Sequence, residues 1–583
     1  MKLVINLFYK NQVKEYDVSS LKGAYFMDFQ GENSEIDFFI PINIEIIEDY
    51  HSIYSNAVKK FTCFVAKLSN ISINGAHIRT FQSNGLPLFW LTSLSEKHYF
   101  HWMMKFFLLR EFIGQRSDLF NAYEEIIFLL PAKYSRVKVL LDEEFQQFNL
   151  NFSYSVKYED TRIVSLLKVT MKGIVSFLRR SKPLLSYNQP TAIFICRNKV
   201  TSYTKKYLEN LRLLVNMRGE ELQVITLDSL VKSSENNLEY KFPSLFWKHR
   251  PNLILFLLLK FLNFKSLMSL NFTKEEKLTI DGIKLPSKLI LDELTDVVVN
   301  QGDLLIYNKI LSRFKSKIKD SPLFFYEDEF YPSGRTISFG LAGLKTFGIQ
   351  HSMVGNEQSV YIISDTELES KVDKWDHLPI PSKFITWGDI FKKNFLSNNS
   401  LDPSFIISAG NPTYIMRSNS VGLKSKGERL KVLYCLTRKE FFHQEKQIVK
   451  SNLNKFKNFD LIVRYHPLWY FDSRVVLEFF EGVNVIFSDC PNIFEDINNA
   501  DVIITSGHSG VWLDAIVAKK PVVRIITFIQ DNFQTNGSVY NVKHENEFIS
   551  AIDGILRNDQ ISLSSNILYL EKDRWEELFL NYA

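Results

Sequence analysis

The chain of 583 residues is 45% hydrophobic, 14% aromatic and 23% charged, a composition that excludes an intrinsically disordered protein. A chain of this length exceeds one ordinary hydrophobic core, so we expect two or more domains. The net charge of +5, from 70 Lys and Arg against 65 Asp and Glu, argues against a dedicated nucleic-acid binder, and we expect no nucleic-acid partner.

Cysteine usage and the N-terminus indicate a cytoplasmic protein. The four cysteines lie far apart without CxxC or Cys/His spacing, so neither a disulfide framework nor a zinc site is predicted: Cys63, Cys196, Cys435 and Cys490. The first 18 residues, MKLVINLFYKNQVKEYDV, lack a sustained apolar core followed by a small-residue cleavage site. No signal peptide is predicted there.

Two basic, apolar segments bear on membrane contact. The longest apolar run, Leu253–Leu259, is well short of the ~20 residues that span a bilayer. It lies in FPSLFWKHRPNLILFLLLKFLNFKSL (242–267), and SLLKVTMKGIVSFLRRSKP (165–183) has a similar basic amphipathic character. Both segments are compatible with peripheral docking on the inner face of the cytoplasmic membrane, and also with buried helices that have basic ends.

The first two thirds of the chain change character near residue 80. Short alternating stretches such as LVINLFY and IDFFIPINIEII predict a β-rich segment without clear helices at residues 1–80. Buried strands separated by helices are then predicted at LPLFWLTSL, EEIIFLLP, TAIFICR and LQVITLD. We interpret residues 81–385 as an N-terminal Rossmann-like domain with helical insertions on the acceptor side, in which residues 230–300 have no clear assignment.

The last third has the clearest pattern. Strands are predicted at LKVLYCL, DLIVRYH, VNVIFSD, DVIITS and PVVRII, and helical patterns lie between them. This alternation is typical of a doubly wound parallel sheet. The domain starts after LPIPSKF, which we interpret as a linker, and occupies residues 386–583.

Acids and a histidine follow consecutive predicted strands in the middle of the chain. SPLFFYEDE ends in Glu327, Asp328 and Glu329, a helix capped by Ser333 follows, and KTFGIQ leads to His351. Ligands of open α/β sheets bind at the carboxyl ends of strands. One hypothesis is a carboxylate acting as general base or orienting group, with Arg335 and His351 facing an anionic or hydroxylated ligand. The other is a solvated acidic loop and a capping histidine.

Three turns in the last third are compatible with phosphate binding. RYHP, which is Arg464–Pro467, places His466 just after a strand, where it can donate to a phosphate oxygen. ITSGHSGVWLDA offers hydroxyls and main-chain N–H groups around a turn, at Thr505, Ser506, Gly507 and Ser509. LKVLYCL ends in Thr437 and Arg438. Each turn alone is often only a turn, and their position on one sheet edge is what indicates a site.

A further group of ring side chains stands in KHYFHWMMKFF, where His98, His101 and Trp102 lie at a strand-to-helix junction. They are candidates for an acceptor pocket, or for a helix start with partly buried aromatics. A metal site there lacks a third ligand nearby in the sequence. Asp328 and Glu329 resemble an acidic metal-binding pair, but no convincing metal-ligand cluster is found, so we predict no metal and no cofactor.

These motifs carry a resemblance. RYHP together with ADVIITSGHSGVWLDAIVAKKPVV resembles the nucleotide-binding half of bacterial GT-B glycosyltransferases that use CMP-activated sugars and carry an HP motif. Four other segments resemble bacterial surface-carbohydrate biosynthesis proteins, namely FYEDEFYPSGRTISFGLAGLKTFGIQHSMVG, LPIPSKFITWGDIFKKNF, ISAGNPTY and WLTSLSEK. In the pattern of that family one strand ends in Glu and the next ends in Gln-His, which here are Gln350 and His351. The resemblance covers residues 88–104 and 322–540.

The resemblance implies two Rossmann-like domains facing across a cleft. It also implies transfer of a sugar, of the nonulosonic acid type, from a CMP donor to a surface glycan such as a capsule or O-antigen. His466 would bind the donor phosphate, assisted by Ser506 and Ser509. Glu327 would be the leading catalytic carboxylate. Related transferases carry a D/E-D/E-G motif, whereas this chain reads EDEF, so the choice among Glu327, Asp328 and Glu329 stays open.

The expected partners are therefore a nucleotide sugar and a glycan or lipid-linked glycan acceptor. Three alternatives remain: a CDP-glycerol-type or UDP-sugar-dependent transferase, a UDP-sugar 2-epimerase-like isomerase, and a catalytically silent scaffold. The N-terminus lacks the glycine-rich turn after the first strand that the epimerase fold usually needs, which argues against the second.

Overall fold

Two six-stranded parallel sheets form the framework of the chain. The computed structural model describes residues 2–6, 25–28, 44–73, 75–83, 86–97, 101–115, 124–131, 137–145, 152–157, 192–196, 202–216, 222–226, 277–300, 302–316, 318, 322–327, 330–355, 358–371, 376–418, 429–436, 439–466, 473–507, 509–526, 539–557 and 567–582.

The first of these sheets, called the middle sheet, is built from the centre of the sequence. Its strands, in spatial order, are Leu222–Thr226, Ala192–Cys196, Leu323–Tyr326, Thr346–Ile349, Lys383–Thr386 and Ile406–Ser408. All neighbouring pairs are parallel. Ala192–Cys196, Leu323–Tyr326 and Thr346–Ile349 are buried at every residue, which explains why they read as continuous apolar runs and not as alternating ones.

The second, called the C-terminal sheet, has strands Val485–Phe487, Phe459–Arg464, Leu430–Cys435, Val502–Ser506, Val522–Ile525 and Val539–Val542 in spatial order. They are also parallel. Numbered along the chain, their order is third, second, first, fourth, fifth, sixth, which is that of a doubly wound nucleotide-binding fold. The predicted α/β class with two Rossmann-like units is confirmed.

The predicted boundary between the two units is wrong. Residues 385 and 386 lie inside the strand Lys383–Thr386, so the segment interpreted as a linker belongs to the middle sheet. That sheet continues through Ile406–Ser408, and the C-terminal sheet begins at Leu430. The proline-rich segment before Lys383 is a connection between strands of one sheet.

The N-terminal region corrects a second prediction. Residues 1–80 contain Ile44–Leu68, a helix of 25 residues, where no clear helix was expected. The strands Lys2–Asn6 and Tyr25–Asp28 are parallel to each other and join Glu125–Pro131 and Phe152–Lys157 in a four-stranded sheet. LPLFWLTSL, predicted as a buried strand, is a two-residue strand followed by the 3-10 helix Leu88–Leu91.

Helices connect the strands and cover the sheets. In chain order they are Ile44–Leu68, Ser93–Glu96, Trp102–Gln115, Val137–Phe145, Ser202–Asn216, Ser287–Asn300, Gly302–Lys315, Pro332–Gly340, Asp365–Leu368, Asp389–Ser397, Pro412–Ser418, Lys439–Val449, Leu453–Phe456, Ser473–Phe479, Ile493–Asn499, Val511–Val517, Glu545–Leu556 and Asp573–Tyr582. Short antiparallel pairs join Ser72–Ile73 to Ala76–His77, Gln82–Ser83 to Leu86–Pro87, and Lys277–Ile280 to Ile283–Pro286.

The C-terminal helix Asp573–Tyr582 returns to the middle sheet. Trp575 packs against Phe325 with ring centroids 6.1 Å apart, and its indole N–H donates to the carbonyl of Gly410. Gly410 has φ +88°, and a Cβ there would collide with the main chain of Tyr569. Only glycine accommodates both the left-handed backbone and this close approach. The chain end therefore stabilises the middle sheet although it follows the C-terminal sheet in sequence.

Within the described ranges, no helix is long and apolar enough to cross a membrane. The two segments considered for peripheral membrane contact, 165–183 and 242–267, lie outside the described residues.

Candidate functional site

Glu327 lies at the switch point of the middle sheet. The chain winds away from strand Ala192–Cys196 in both directions, to Leu222–Thr226 on one side and Leu323–Tyr326 on the other. Such a reversal leaves a crevice at the carboxyl ends of the two central strands. Tyr326 pairs with Ile195, so Glu327 follows beside Cys196. Burial raises the pKa of the Cys196 thiol, and the negative charge of Glu327 raises it further.

The side chain of Glu327 is half-buried, which leaves its carboxylate accessible at this crevice. Asp328 and Glu329, the other two candidate acids, lie outside the described residues.

His351 follows the next strand at the same edge. Leu323–Tyr326 and Thr346–Ile349 are parallel neighbours, so the groups after their carboxyl ends lie on one side of the sheet. The His351 ring is half-buried, with its centroid 5.6 Å from that of Tyr331. Tyr331, and not the predicted Ser333, is the N-cap residue of helix Pro332–Gly340.

Arg335 has a structural role. Its guanidinium is 2% exposed, and Nη1 donates to the carbonyl of Trp90 at 2.7 Å and to Ser95 Oγ at 2.8 Å. Nη2 donates to the carbonyl of Ser95 at 3.0 Å. Burial lowers the pKa of Arg335 to about 10. The prediction that Arg335 faces a ligand is wrong, because these bonds use it to hold the segment around Ser95 on helix Pro332–Gly340.

Gln350 is likewise engaged inside the fold. It is buried, its Oε1 accepts from the main-chain N–H of Trp387 at 2.9 Å, and its Nε2 donates to the carbonyl of Ser352 at 2.8 Å. These bonds fix the loop that carries His351 against the neighbouring strand. The resemblance made Gln350 a candidate acceptor or substrate residue, whereas in the structure its side chain supports the fold.

The switch point of the C-terminal sheet carries hydroxyl groups. Strands Leu430–Cys435 and Val502–Ser506 are its two central strands, and Cys435 pairs with Thr505. Thr505 and Ser506 are completely buried, and among the described residues neither hydroxyl makes a well-formed hydrogen bond. Buried hydroxyls without partners are costly and rare, so these two indicate a place where a polar ligand binds.

His466 lies on the same edge, at the end of the next strand but one. It follows Phe459–Arg464 by two residues, and that strand is the neighbour of Leu430–Cys435. The imidazole is half-buried. Arg464, by contrast, forms an ion pair with Asp496 and donates to the carbonyl of Cys490 at 2.7 Å. These contacts give Arg464 a structural role in place of the predicted phosphate contact.

The turn after Ser506 is held by its own hydrogen bonds. The N–H of Gly507 donates to the carbonyl of Ile525 at 2.8 Å, and the Gly507 carbonyl accepts from Arg524 Nη2 at 2.8 Å. Ser509 Oγ accepts from the N–H of Val511 at 3.3 Å and so begins helix Val511–Val517. Three other predicted donor-site residues lie outside the described ranges, namely Thr437, Arg438 and Pro467.

Glu445 was missed by the sequence analysis. This acid lies on helix Lys439–Val449, is completely buried, and its Oε2 accepts from the Tyr434 hydroxyl at 2.7 Å. Burial raises the pKa of Glu445 to about 7, although the Tyr434 and Ser506 hydroxyls lower it. The signal was present in the sequence, because an acid at position 445 falls between Phe442 and Val449 on the apolar face of an amphipathic helix.

Asp514 is a second missed acid. Burial raises its pKa to about 7, against the lowering effects of Arg417 and a hydrogen bond from Tyr414. The distance from Arg417 Nη1 to Asp514 Oδ1 is 3.9 Å, and the Arg417 guanidinium carbon lies 3.5 Å from the ring centre of Phe494. Helix Pro412–Ser418, which carries Tyr414 and Arg417, follows the last strand of the middle sheet. Asp514 therefore contributes to the contact between the two parallel-sheet units.

A second contact joins the two candidate edges directly. The indole N–H of Trp512 donates to Met353 Sδ at 2.8 Å, and the side chain of Trp512 is completely buried. Met353 lies two residues after His351, and Trp512 lies in the helix after the Ser506 turn. The guanidinium carbon of Arg524 lies 4.3 Å from the Trp512 ring centre. The structure thus brings the His351 loop against the hydroxyl-bearing turn.

His101 lies in a buried cluster away from these edges. Its Nδ1 accepts from the N–H of Met103 at 3.1 Å, and its Nε2 is 3.6 Å from Glu293 Oε2. Burial raises the pKa of Glu293, but bonds from His101, Trp102 and Ser93 outweigh it and lower that pKa to about 2. Of the two interpretations, a buried helix start fits His101 and an acceptor pocket does not. His98 lies outside the described residues.

Among the described residues, no group of three or more His, Cys, Asp or Glu side chains is arranged to hold a metal ion.

Comparisons with known proteins give structural likeness only. No protein-family model and no curated protein matches the sequence. A UDP-GlcNAc 2-epimerase from Neisseria meningitidis, solved with UDP-GlcNAc, is 10% identical with a TM-score of 0.41, over 67% of this chain and 100% of that one. A glycosyltransferase from Rickettsia africae is 13% identical with a TM-score of 0.37, over 68% and 94%. TarM is 10% identical with a TM-score of 0.37, over 68% and 97%.

Proposed function

We propose that the protein is a glycosyltransferase that moves a sugar from a nucleotide-activated donor, a CMP-activated nonulosonic acid, onto a bacterial surface glycan. One observation carries the proposal. The switch points of two parallel sheets present complementary groups: a half-buried carboxylate at one, and at the other two buried hydroxyls without a well-formed hydrogen bond among the described residues, with a histidine further along the same edge. Glycosyl transfer needs both a base for the acceptor hydroxyl and stabilisation for the departing phosphate.

The C-terminal sheet supplies the donor side. As the sugar–phosphate bond breaks, negative charge grows on the leaving oxygen, and groups that donate hydrogen bonds in a buried place stabilise that charge best. His466 and the hydroxyls of Thr505 and Ser506 are such groups. Since neither hydroxyl makes a well-formed hydrogen bond with the described residues, a phosphate oxygen would satisfy them. Asp496 pairs with Arg464, so His466 is the proposed side-chain donor to the phosphate on the donor side.

The middle sheet supplies the acceptor side. Glu327 is half-buried at the carboxyl end of a central strand, where its carboxylate would take the proton of an acceptor hydroxyl. His351, at the same edge, would orient the acceptor or the sugar ring. The contact between Met353 and Trp512 keeps the loop of His351 against the donor side, as a transfer between two substrates requires.

The choice of CMP among nucleotides comes from the resemblance of RYHP and the Ser-rich turn, and it is the finest part of the proposal. When a CMP-sugar gives up its sugar, the leaving group is CMP, which carries a single phosphate. One phosphate matches a compact site of one histidine and two hydroxyls. The alternatives from the sequence, a CDP-glycerol-type or UDP-sugar-dependent transferase and a UDP-sugar 2-epimerase-like isomerase, differ from it in the nucleotide bound and in the product formed.

A nucleotide screen tests the proposal. Thermal shift and calorimetry would be run with CMP, UDP and GDP, followed by product analysis with the corresponding nucleotide sugars. We expect CMP to stabilise the protein most and the sugar to pass to an acceptor glycan. Stabilisation by UDP without CMP would refute the donor assignment. Epimerised UDP-sugar without transfer would refute the transferase and identify the isomerase.

A further inference from the structure

We propose that Glu445 is a positioning residue whose protonation orients the Ser506 hydroxyl, so that binding of the donor phosphate is coupled to uptake of one proton by Glu445. This inference rests on the proposed function, because it concerns the same donor site. It adds a residue that no sequence motif pointed to, and it makes nucleotide affinity depend on pH in a specified way.

Glu445 and Ser506 occupy the same face of the C-terminal sheet. Side chains alternate along Val502–Ser506, so Ser506 shares a face with Val502 and Ile504. Those two residues pack in one core with Tyr434 and with Phe442 of the Glu445 helix. The Tyr434 hydroxyl donates to Glu445 Oε2 at 2.7 Å.

The second oxygen of the Glu445 carboxyl group, Oε1, is the one that can interact with Ser506. Glu445 Oε1 and Ser506 Oγ are both buried, and neither has a well-formed hydrogen bond in the structure. The Ser506 hydroxyl nevertheless lies close enough to Glu445 to lower its pKa. A buried carboxyl oxygen and a buried hydroxyl within interaction range of each other can share a proton.

The groups around Glu445 offer hydroxyls and apolar surface. Helix Glu545–Leu556 packs on this core through Phe548, Ala551 and Ile552. On the acid's own helix, the Lys446 amine lies 4.9 Å from the ring centre of Phe442, and on the neighbouring helix Lys455 pairs with Asp553. The groups that act on the carboxyl are thus the Tyr434 and Ser506 hydroxyls, and burial raises the pKa of Glu445 to about 7 despite them.

The state of the proton decides which way the Ser506 hydroxyl points. When Glu445 is ionised, its Oε1 accepts the Ser506 proton, and the serine presents only lone pairs to an incoming anion. When Glu445 is neutral, its own O–H donates to Ser506 Oγ, and the serine proton is free to donate to a phosphate oxygen. The anion therefore binds the protonated form better, and binding takes one proton from solvent.

The pH dependence has a definite sign. Below pH 7 Glu445 is already neutral and affinity is unaffected by this group. Above pH 7 each unit makes protonation tenfold rarer, so the dissociation constant rises by up to tenfold per unit.

The test measures the dissociation constant of CMP by calorimetry from pH 6 to 8.5 for the wild-type protein and E445Q. The glutamine amide can donate to Ser506 at every pH, so the variant is held in the binding form. The ionisation of CMP and of other protein groups is common to both proteins. The ratio of the wild-type constant to the E445Q constant should therefore be flat below pH 7 and rise towards tenfold per unit above it.

Y434F is the second variant and needs no change at Glu445. Loss of the tyrosine hydroxyl removes a hydrogen bond that lowers the pKa of Glu445. The pH at which the CMP dissociation constant begins to rise should therefore be higher in Y434F than in the wild type. A purely structural role for Glu445 would not move it. Far-UV circular dichroism and melting curves confirm that each variant is folded.

The failure of the inference and of the proposed function can be told apart. If CMP binds and the ratio stays flat across the whole range, the coupling is refuted and the donor site stands. If the dissociation constant of CMP begins to rise at the same pH in Y434F and the wild type, the proposed role of the Glu445 carboxyl is refuted independently of E445Q. If neither CMP, UDP nor GDP binds at any pH, the proposed function fails and the coupling falls with it.

Discussion

The carboxyl edges of the middle and C-terminal sheets differ in the kind of polar group they present. The middle edge carries Glu327, half-buried, and His351. The C-terminal edge carries His466 and also Thr505 and Ser506, whose buried hydroxyls make no well-formed hydrogen bond among the described residues. A carboxylate suits a group that must lose a proton, and hydroxyls suit an anion that must be bound. The difference fits the proposal that the two sheets serve different steps of one transfer reaction.

The C-terminal edge also has acids with shifted pKa values nearby. Burial raises the pKa values of Glu445 and Asp514 to about 7. Buried acids that are neutral below pH 7 add little negative charge next to a bound phosphate. The donor edge therefore avoids the repulsion that ionised carboxylates would cause.

The largest expected effect is at the middle edge. E327Q removes the proposed base and should lower the transfer rate by about 10²- to 10⁴-fold. The assay is transfer of a labelled sugar under saturating donor.

D328N and E329Q are the matched controls for E327Q, because they change the adjacent acids of the same loop. We expect a smaller loss in both. A loss in E329Q that equals or exceeds that in E327Q would move the base to a neighbouring position and break the assignment of Glu327.

The next effect is on stability at the contact between the units. The pKa of Asp514 is about 7 in the fold and ~3.9 in an unfolded chain, so between those values the folded protein holds a proton that the unfolded chain has lost. Stability should fall as pH rises from 4 to 7, with a slope approaching about 1.4 kcal/mol per pH unit. Denaturant titrations of the wild type and D514N measure it, and the variant should lose this contribution.

D460N provides the comparison for D514N, since Asp460 lies on a strand of the same sheet and pairs with Arg429 at its surface. It should keep the wild-type slope. If D514N and the wild type have parallel stability curves, Asp514 is ionised throughout and the contact is a simple ion pair with Arg417.

A smaller effect is expected for the donor histidine. H466A removes a charge-assisted hydrogen bond to phosphate worth about 1.5–3 kcal/mol, which corresponds to roughly 10- to 100-fold weaker nucleotide binding. H544A is the control, because His544 follows the outermost strand of the same sheet and begins a helix there. Equal weakening by both variants would show that the effect is general and not local to His466.

The smallest effect separates the two serines. S506A removes a neutral hydrogen bond of about 0.5–1.5 kcal/mol and should weaken nucleotide binding by a few-fold to tenfold. In S509A the lost bond is the one to the Val511 N–H, so helix stability should change more than affinity. A larger loss of affinity in S509A would place the phosphate further along the turn.

The strands were predictable from the sequence because buried parallel strands are apolar at every position. Ala192–Cys196 and Leu323–Tyr326 show this signal throughout, and Val502–Ser506 shows it in its first three residues. The domain boundary was not predictable in this way, since prolines before Lys383 mark a loop without indicating which sheet it serves. The 25-residue helix Ile44–Leu68 was missed because short apolar runs alone do not distinguish strand from helix.

Only the position of the candidate site residues at strand ends was predictable from the sequence. Glu327, His351 and His466 lie at strand ends because the motifs place them there. Arg335 and Arg464 look alike in the sequence, yet each is engaged by distant groups, Ser95 in one case and Asp496 in the other. Such partners depend on tertiary packing, which a single sequence does not reveal.

The central claim is the division of work between the two edges, and one paired measurement tests it most directly. CMP would be titrated calorimetrically into the wild-type protein, E327Q and H466A at pH 6.5, alongside the transfer rate of each. The account predicts that E327Q binds CMP within about twofold of the wild type while losing transfer, and that H466A binds at least tenfold more weakly. Weak CMP binding by E327Q together with unchanged binding by H466A would contradict it.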